Sequence, residues 1–301
     1  MSRRIVLVLS GGGALGAYQC GAYRALTRRL NADARRSMVI VGASIGAVNG
    51  FLIATRSADP DAGVAAMERF WRSLTIPSAQ FFPVPDPYYQ RLNATLTGLV
   101  FGNPFAVVGI PGGLLGGLLY YPHTAAFSHA NLISATREVA GDSYSPGHEG
   151  PRLIIRAIDI AAASPVWFDS NDEAIVPSMI GASSSIPLLF KPVWHDERAF
   201  WDGDIWHQGI LTPALNRLVT SAGDNDQYHV VTIELFKRTP QAPEGFGGNL
   251  DHFRRMLMGA RSDEDADSAL NCDGTDGLRQ AGFGGNAREF MGRPGGARVC
   301  A

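Results

Sequence analysis

The stretch Ile5-Val6-Leu7-Val8-Leu9-Ser10-Gly11-Gly12-Gly13-Ala14-Leu15-Gly16 decides the fold. Ile5–Leu9 is a continuous apolar run, the pattern of a strand covered on both faces. Three glycines then allow a tight backbone turn, and Ala14–Leu30 follows with helical spacing. Leu15, Tyr18, Ala22 and Ala25 share one side of that helix, while Arg24, Arg28 and Arg29 gather late, where cations favour a helix C-terminus. A buried strand, a glycine turn and an amphipathic helix read as the first half of a strand–helix–strand unit.

The same alternation continues outward. Val39–Val41 reads as a second strand, with helices at Ile45–Thr55 and Val64–Leu74. Leu153–Ile160 is a long β-branched strand, Ala174–Ser183 reads as helix, and Phe200 and Trp201 end a short strand. Leu211–Val219 follows as helix and Val230–Leu235 as a late buried strand. Strands separated by helical runs predict an α/β domain over residues 1–238, three-layer α/β/α with a mostly parallel central sheet. After Lys237 glycine and proline become frequent. Residues 239–261 contain one helical stretch, Leu250–Arg261, and residues 262–301 are polar, glycine-rich and aperiodic, the composition of a flexible tail.

Composition narrows the class. Of 301 residues, 46% are hydrophobic and 18% charged, and the net charge is −2. Disordered chains lack this apolar content. A dedicated nucleic-acid binder would carry a basic balance or a dense basic run, and neither is present. Cys20, Cys272 and Cys300 are too few and too scattered for a disulfide framework or a metal site, which suits a reducing, cytoplasmic setting. The N-terminal apolar run of Ile5–Leu9 is shorter than the ~7–15 residues of a signal-peptide core.

Residues 92–122 carry no charge, a length that could cross a bilayer at ~20 residues. Pro104, Pro111 and glycines at 98, 102, 109, 112, 113, 116 and 117 make this a poor helix. A buried loop or lid is the expected role, followed by a surface that meets lipid, with a membrane span last.

Two turns carry chemistry. Gly11-Gly12-Gly13-Ala14-Leu15-Gly16 exposes several N–H groups at the positive end of a helix, a nest for a phosphate or for the oxyanion of acyl transfer. It also satisfies the dinucleotide fingerprint Gly11-x-Gly13-x-x-Gly16, although Asp33 precedes the second strand rather than following it. Gly42-Ala43-Ser44-Ile45-Gly46 joins a strand to a helix in the pattern of a nucleophile elbow. Adjacent parallel strands would bring both turns to one sheet edge, a nucleophile beside oxyanion donors. Asp202-Gly203-Asp204, directly after Phe200-Trp201, offers a carboxylate that partial burial could make a base towards Ser44; a surface turn is the alternative.

In this order the motifs resemble the patatin-like phospholipase family over about residues 5–235. The oxyanion loop is Gly11-Gly12-Gly13, the elbow Gly42-x-Ser44-x-Gly46, and the second dyad member Asp202-Gly203. Ala182–Pro192 looks like the stretch that precedes the catalytic Asp in that family. The resemblance implies a cofactor-free serine hydrolase acting on acyl lipids or phospholipids at a membrane periphery. Ser44 would be the nucleophile, Asp202 the general base, and Gly11, Gly12, Gly13 and Ile45 the oxyanion hole, with Gly16, Gly42, Gly46 and Gly203 as motif glycines.

Two residues depart from the family pattern. Leu15 stands where members often carry Arg or Lys, and Asp204 where Gly or Ala usually follows Asp-Gly. Two alternatives remain at this level. One is a Ser-His-Asp esterase using a histidine downstream of Asp202, His207 or His229, with His195 flanking Asp202 on the upstream side; the other is a nucleotide- or anion-binding protein using the Gly11–Gly16 loop.

Overall fold

The computed structural model describes residues 3–57, 59–75, 108–109, 125, 127–146, 150–206, 209–220, 227–233, 235, 279–282 and 287–292. Strand β1 (Arg3–Leu9) leads through a 3-10 turn at Gly13–Gly16 into α1 (Ala17–Thr27). A short α2 (Ala32–Arg36) precedes β2 (Val39–Ala43), α3 (Ile45–Ala54) and α4 (Pro60–Ser73). The two-residue strands β3 (Val108–Gly109) and β4 (Phe127–Ser128) pair with each other ahead of α5 (Ala130–Ala140). Then follow β5 (Arg152–Asp159), β6 (Ser164–Asp169), α6 (Pro177–Ser183), β7 (Val193–His195) and β8 (Arg198–Asp202). Helix α7 (Leu211–Thr220) and β9 (Gln227–Ile233) end the predicted domain.

The sheet is parallel at its centre and antiparallel at its flanks. β9, β1, β2 and β5 run parallel, in registers such as Leu7 opposite Val231, Leu7 opposite Ile40, and Val41 opposite Ile154. β6 and β8 pair antiparallel with β5, and β7 with β8. Short connections impose this reversal, since a hairpin cannot join parallel strands. Asp196 and Glu197, both at positive φ (45° and 61°), close the β7–β8 hairpin. β6 is hidden in the sequence by Pro165, which an edge strand tolerates.

Alternation along β1 builds the layers. Ile5, Leu7 and Leu9 join a core with Tyr23 of α1, Phe51 of α3 and Phe70 of α4. Val6 and Val8 face the opposite core, with Val39, Val41, Ile154 and Leu211, Ala214 and Leu218 of α7. Both faces of β1 are covered, which is why its sequence is apolar without interruption. Every residue of α3 is buried, so this helix shows no polar side. The helix expected from Ala174 starts instead at Pro177, because Ile175 exchanges two backbone hydrogen bonds of 2.8 Å with Tyr144 and proline suits the first helical position.

Two further strands, β10 (Arg279–Gly282) and β11 (Ala287–Gly292), lie inside the segment expected to be a flexible tail. β11 pairs antiparallel with β9 and β10 with β11, extending the sheet at the edge that β9 would otherwise leave open. Apart from Val108–Gly109, the uncharged stretch 92–122 lies outside the described residues, as do the predicted helix at 250–261 and His207. Among the described residues, no helix is long and apolar enough to cross a membrane.

Candidate active site

The two turns and the carboxylate meet because of how one edge of β5 is shared. Arg156 of β5 is the register partner of Ala43 at the end of β2, and the next residue, Ala157, is the partner of Asp202 at the end of β8. β2 and β8 therefore approach each other end to end along the same edge, β6 occupying the other. Ser44 leaves one strand end and Asp202 the other. Ser44 Oγ donates a 2.6 Å hydrogen bond to Asp202 Oδ2, and both residues are buried.

Ser44 stands on a strained turn at φ 54°, ψ −130°, where a side chain with a Cβ costs about 1–3 kcal/mol. Surrounding bonds hold it there. Its N–H donates to the Ser183 carbonyl and to Ser183 Oγ, each at 3.0 Å, and its carbonyl accepts from Ala47 N–H at 2.9 Å. Gly46 has to be glycine: a methyl group on it would lie 1.9 Å from the Leu9 carbonyl oxygen, where α3 is pressed against the end of β1. Gly203 answers to the same constraint, a methyl there falling 1.8 Å from the Arg156 carbonyl oxygen.

Asp202 is a carboxylate with every polar edge assigned. Oδ1 accepts from Asp204 N–H at 2.7 Å, and the Asp202 N–H donates to the Ser185 carbonyl at 2.9 Å. Burial pushes its carboxyl up to about 7, and the negative charge of Asp204 adds to the rise; the hydrogen bonds from Ser44 and Asp204 N–H and the charge of Arg156 act against it. A carboxylate tuned to neutral pH can accept and return a proton there.

The glycine loop is fixed at both ends. Gln19 Nε2 donates to the Ser10 carbonyl at 2.8 Å, and Asn49 Nδ2 donates to the Gly16 carbonyl at 3.0 Å and to Gln19 Oε1 at 2.7 Å. Trp71 Nε1 completes the network by donating to Asn49 Oδ1 at 3.1 Å. Gln19 and Asn49 are fully buried, so their mutual satisfaction ties the loop rigidly to the elbow helix. Within the loop, the Gly11 N–H is already engaged, donating to Asp204 Oδ2 at 2.9 Å.

Arg156 and Asn49 belong to no motif, and the sequence did not single them out. The Arg156 side chain is fully buried beneath the carboxylate turn, with Nε donating to the Gly203 carbonyl and Nη1 to the Gly209 carbonyl, each at 2.7 Å. Its guanidinium carbon lies 5.7 Å from the centre of the Trp167 ring, and Nη2 lies 3.7 Å from Asp204 Oδ1. The signal in the sequence is a lone cation inside the apolar run 153–160, as Asn49 is a lone amide inside the apolar α3.

The histidines weighed for a triad are placed elsewhere or outside the described residues. His195 Nδ1 is 3.2 Å from Ser178 Oγ, and its ring meets the edge of Phe168. His229 sits in β9 opposite Ile5, a strand removed from β2. Ser44 Oγ reaches Asp202 directly. Among the described residues, no cluster of three or more His, Cys, Asp or Glu could hold a metal ion.

A family model described as patatin-like phospholipase matches residues 7–207. The chain belongs to the patatin-like phospholipase family. Most of strand β1, the glycine loop, the elbow and Asp202-Gly203 fall within the matched residues. Among solved structures the chain is similar to VipD from Legionella pneumophila, at 15% identity and a TM-score of 0.36, covering 66% of this chain and 45% of that one. The chain thus spans under half the length of that protein. No curated protein matches it.

Proposed function

We propose that this member of the patatin-like phospholipase family is a lipid acyl hydrolase that cleaves carboxylic esters through a Ser44–Asp202 dyad. The observation that carries the reading is the direct 2.6 Å hydrogen bond from Ser44 Oγ to a buried carboxylate poised at about 7. Ser44 Oγ attacks the acyl carbonyl carbon while its proton passes to Asp202 Oδ2. The N–H groups of Gly12, Gly13 and Ile45 stabilise the oxyanion; the Gly11 N–H, held by Asp204, joins them only if that contact opens. When the ester C–O bond breaks, Asp202 returns its proton to the departing alcohol and the acyl group stays on Ser44. Water then gives a proton to Asp202 and attacks the acyl carbon, and Ser44 recovers that proton as the carboxylic acid leaves.

Acyl lipids are the proposed substrates, taken from a membrane periphery. Ester hydrolysis by the wild-type protein and Ser44→Ala tests the mechanism. The substitution is expected to lower kcat by three or more orders of magnitude without altering the far-UV circular dichroism, on the order of the losses measured for other serine nucleophiles. Retention of most of the activity would refute the dyad.

A further inference from the structure

Asp204 is where this chain places a second carboxylate beside the nucleophile, and the contacts of that residue define which substrates fit. A methyl group built on Gly11 would lie 2.6 Å from Asp204 Oδ2 and 2.8 Å from Ser44 Cβ, so carboxylate and nucleophile border the same small space. Oδ2 is held there by the Gly11 N–H at 2.9 Å. Its counter-ion lies on the far side: Arg156 approaches the other oxygen, Oδ1, at 3.7 Å, and the Arg156 side chain is 1% exposed against 21% for Asp204. Two carbonyl oxygens, of Gly203 and Gly209, bind Arg156 in that buried position. The pair is thus a fixed dipole with its negative end towards the reacting centre. Asp202, when ionised, adds charge of the same sign, and the Gly11–Gly16 loop carries no cation to balance either.

From this geometry we infer that Asp204 is a specificity-determining residue: it admits acyl esters that are neutral next to the scissile bond and disfavours those with an adjacent phosphate or carboxylate. The inference rests on the hydrolase reading above and names its substrate class, uncharged acyl esters of the acylglycerol kind. Repulsion acts at short range in a partly desolvated space, where like charges at a few ångströms are worth far more than in bulk water.

The test compares dioctanoylglycerol with dioctanoylphosphatidate in the same non-ionic micelles, with 4-nitrophenyl butyrate reporting on the dyad itself. For wild type, kcat/KM is expected to favour the neutral lipid by about tenfold or more, a ratio consistent with one unscreened like-charge contact. Asp204→Asn keeps an oxygen acceptor for the Gly11 N–H but removes the charge, and it should bring the ratio close to one. Should that variant fail to fold, salt serves on the wild-type protein. Raising ionic strength from 0.1 to 1 M shortens the screening length from ~10 to ~3 Å and should narrow the ratio. A ratio unmoved by Asp204→Asn, a wild-type ratio insensitive to salt, or a preference for the phosphatidate overturns the inference while leaving the hydrolase reading in place. Absence of Ser44-dependent turnover on all three esters overturns both.

Discussion

The two turns that bring Ser44 and Asp202 together, the proposed dyad, are built on different physics. The Ser44 turn is held by sterics: a strained φ of 54°, backbone bonds to Ser183 and Ala47, and a glycine at 46 that lets α3 touch the end of β1. The Asp202–Asp204 turn is held by charge: two carboxylates, a buried Arg156 on their protein side, and carbonyls of Gly203 and Gly209 that fix the guanidinium. The first fixes a position that hardly depends on solution conditions. The second sets the proton affinity of Asp202, and with it the pH at which the proposed base would work.

Substitutions that break one turn should therefore leave a different signature from those that break the other. Gly46→Ala is expected to have the largest effect on stability. Its methyl has no flexible neighbour to displace, only the backbone carbonyls of Leu9 and Ser10, so the loss should exceed the ~1–3 kcal/mol usual for overpacking, at every pH and salt concentration. Thermal denaturation across pH 5–9 checks this, and a cost that varied strongly with pH would contradict a steric origin. Arg156→Leu should cost about 3 kcal/mol, the lower end for a broken buried pair, because Asp204 is partly exposed and can turn to water. Urea denaturation measures it; a loss below about 1 kcal/mol, the level of an exposed ion pair, would show that the guanidinium is not the keystone of this turn.

The smallest effects are the most diagnostic. Asp202 must be deprotonated to act as base, so kcat/KM should fall as pH drops through about 7. Removing the negative charge in Asp204→Asn lowers the Asp202 pKa and moves that acidic limb to lower pH. Removing the positive charge in Arg156→Leu raises the pKa and moves the limb to higher pH. Shifts in the same direction, read from kcat/KM profiles on 4-nitrophenyl butyrate, would contradict the electrostatic assignment. A Gly46→Ala protein that folds should leave the limb where it was.

The same division explains what the sequence disclosed. Glycines that permit close backbone approach, at 42, 46 and 203, and the apolar run of β1 are local patterns, so the strand–turn–helix frame and the residues Ser44 and Asp202 were legible in them. The antiparallel flank was less so, since β6 carries Pro165 and β7 is three residues long. Arg156 was invisible as a partner, because its contacts with Gly203, Asp204 and Gly209 arise only when β5 receives β2 and β8 along one edge. The occupation of the Gly11 N–H by Asp204 belongs to the same class: the sequence separation is 193 residues, and no local rule connects the two.

In the proposed mechanism Ser44 is a nucleophile activated by the carboxylate it touches. Reaction with a serine-directed fluorophosphonate, followed by peptide mass spectrometry, tests this whatever ester the protein naturally cleaves. A single adduct on Ser44 is expected in the wild-type protein and none in folded Asp202→Asn, in which the amide cannot take the proton. Labelling at another serine, or labelling of Ser44 undiminished by Asp202→Asn, would contradict it.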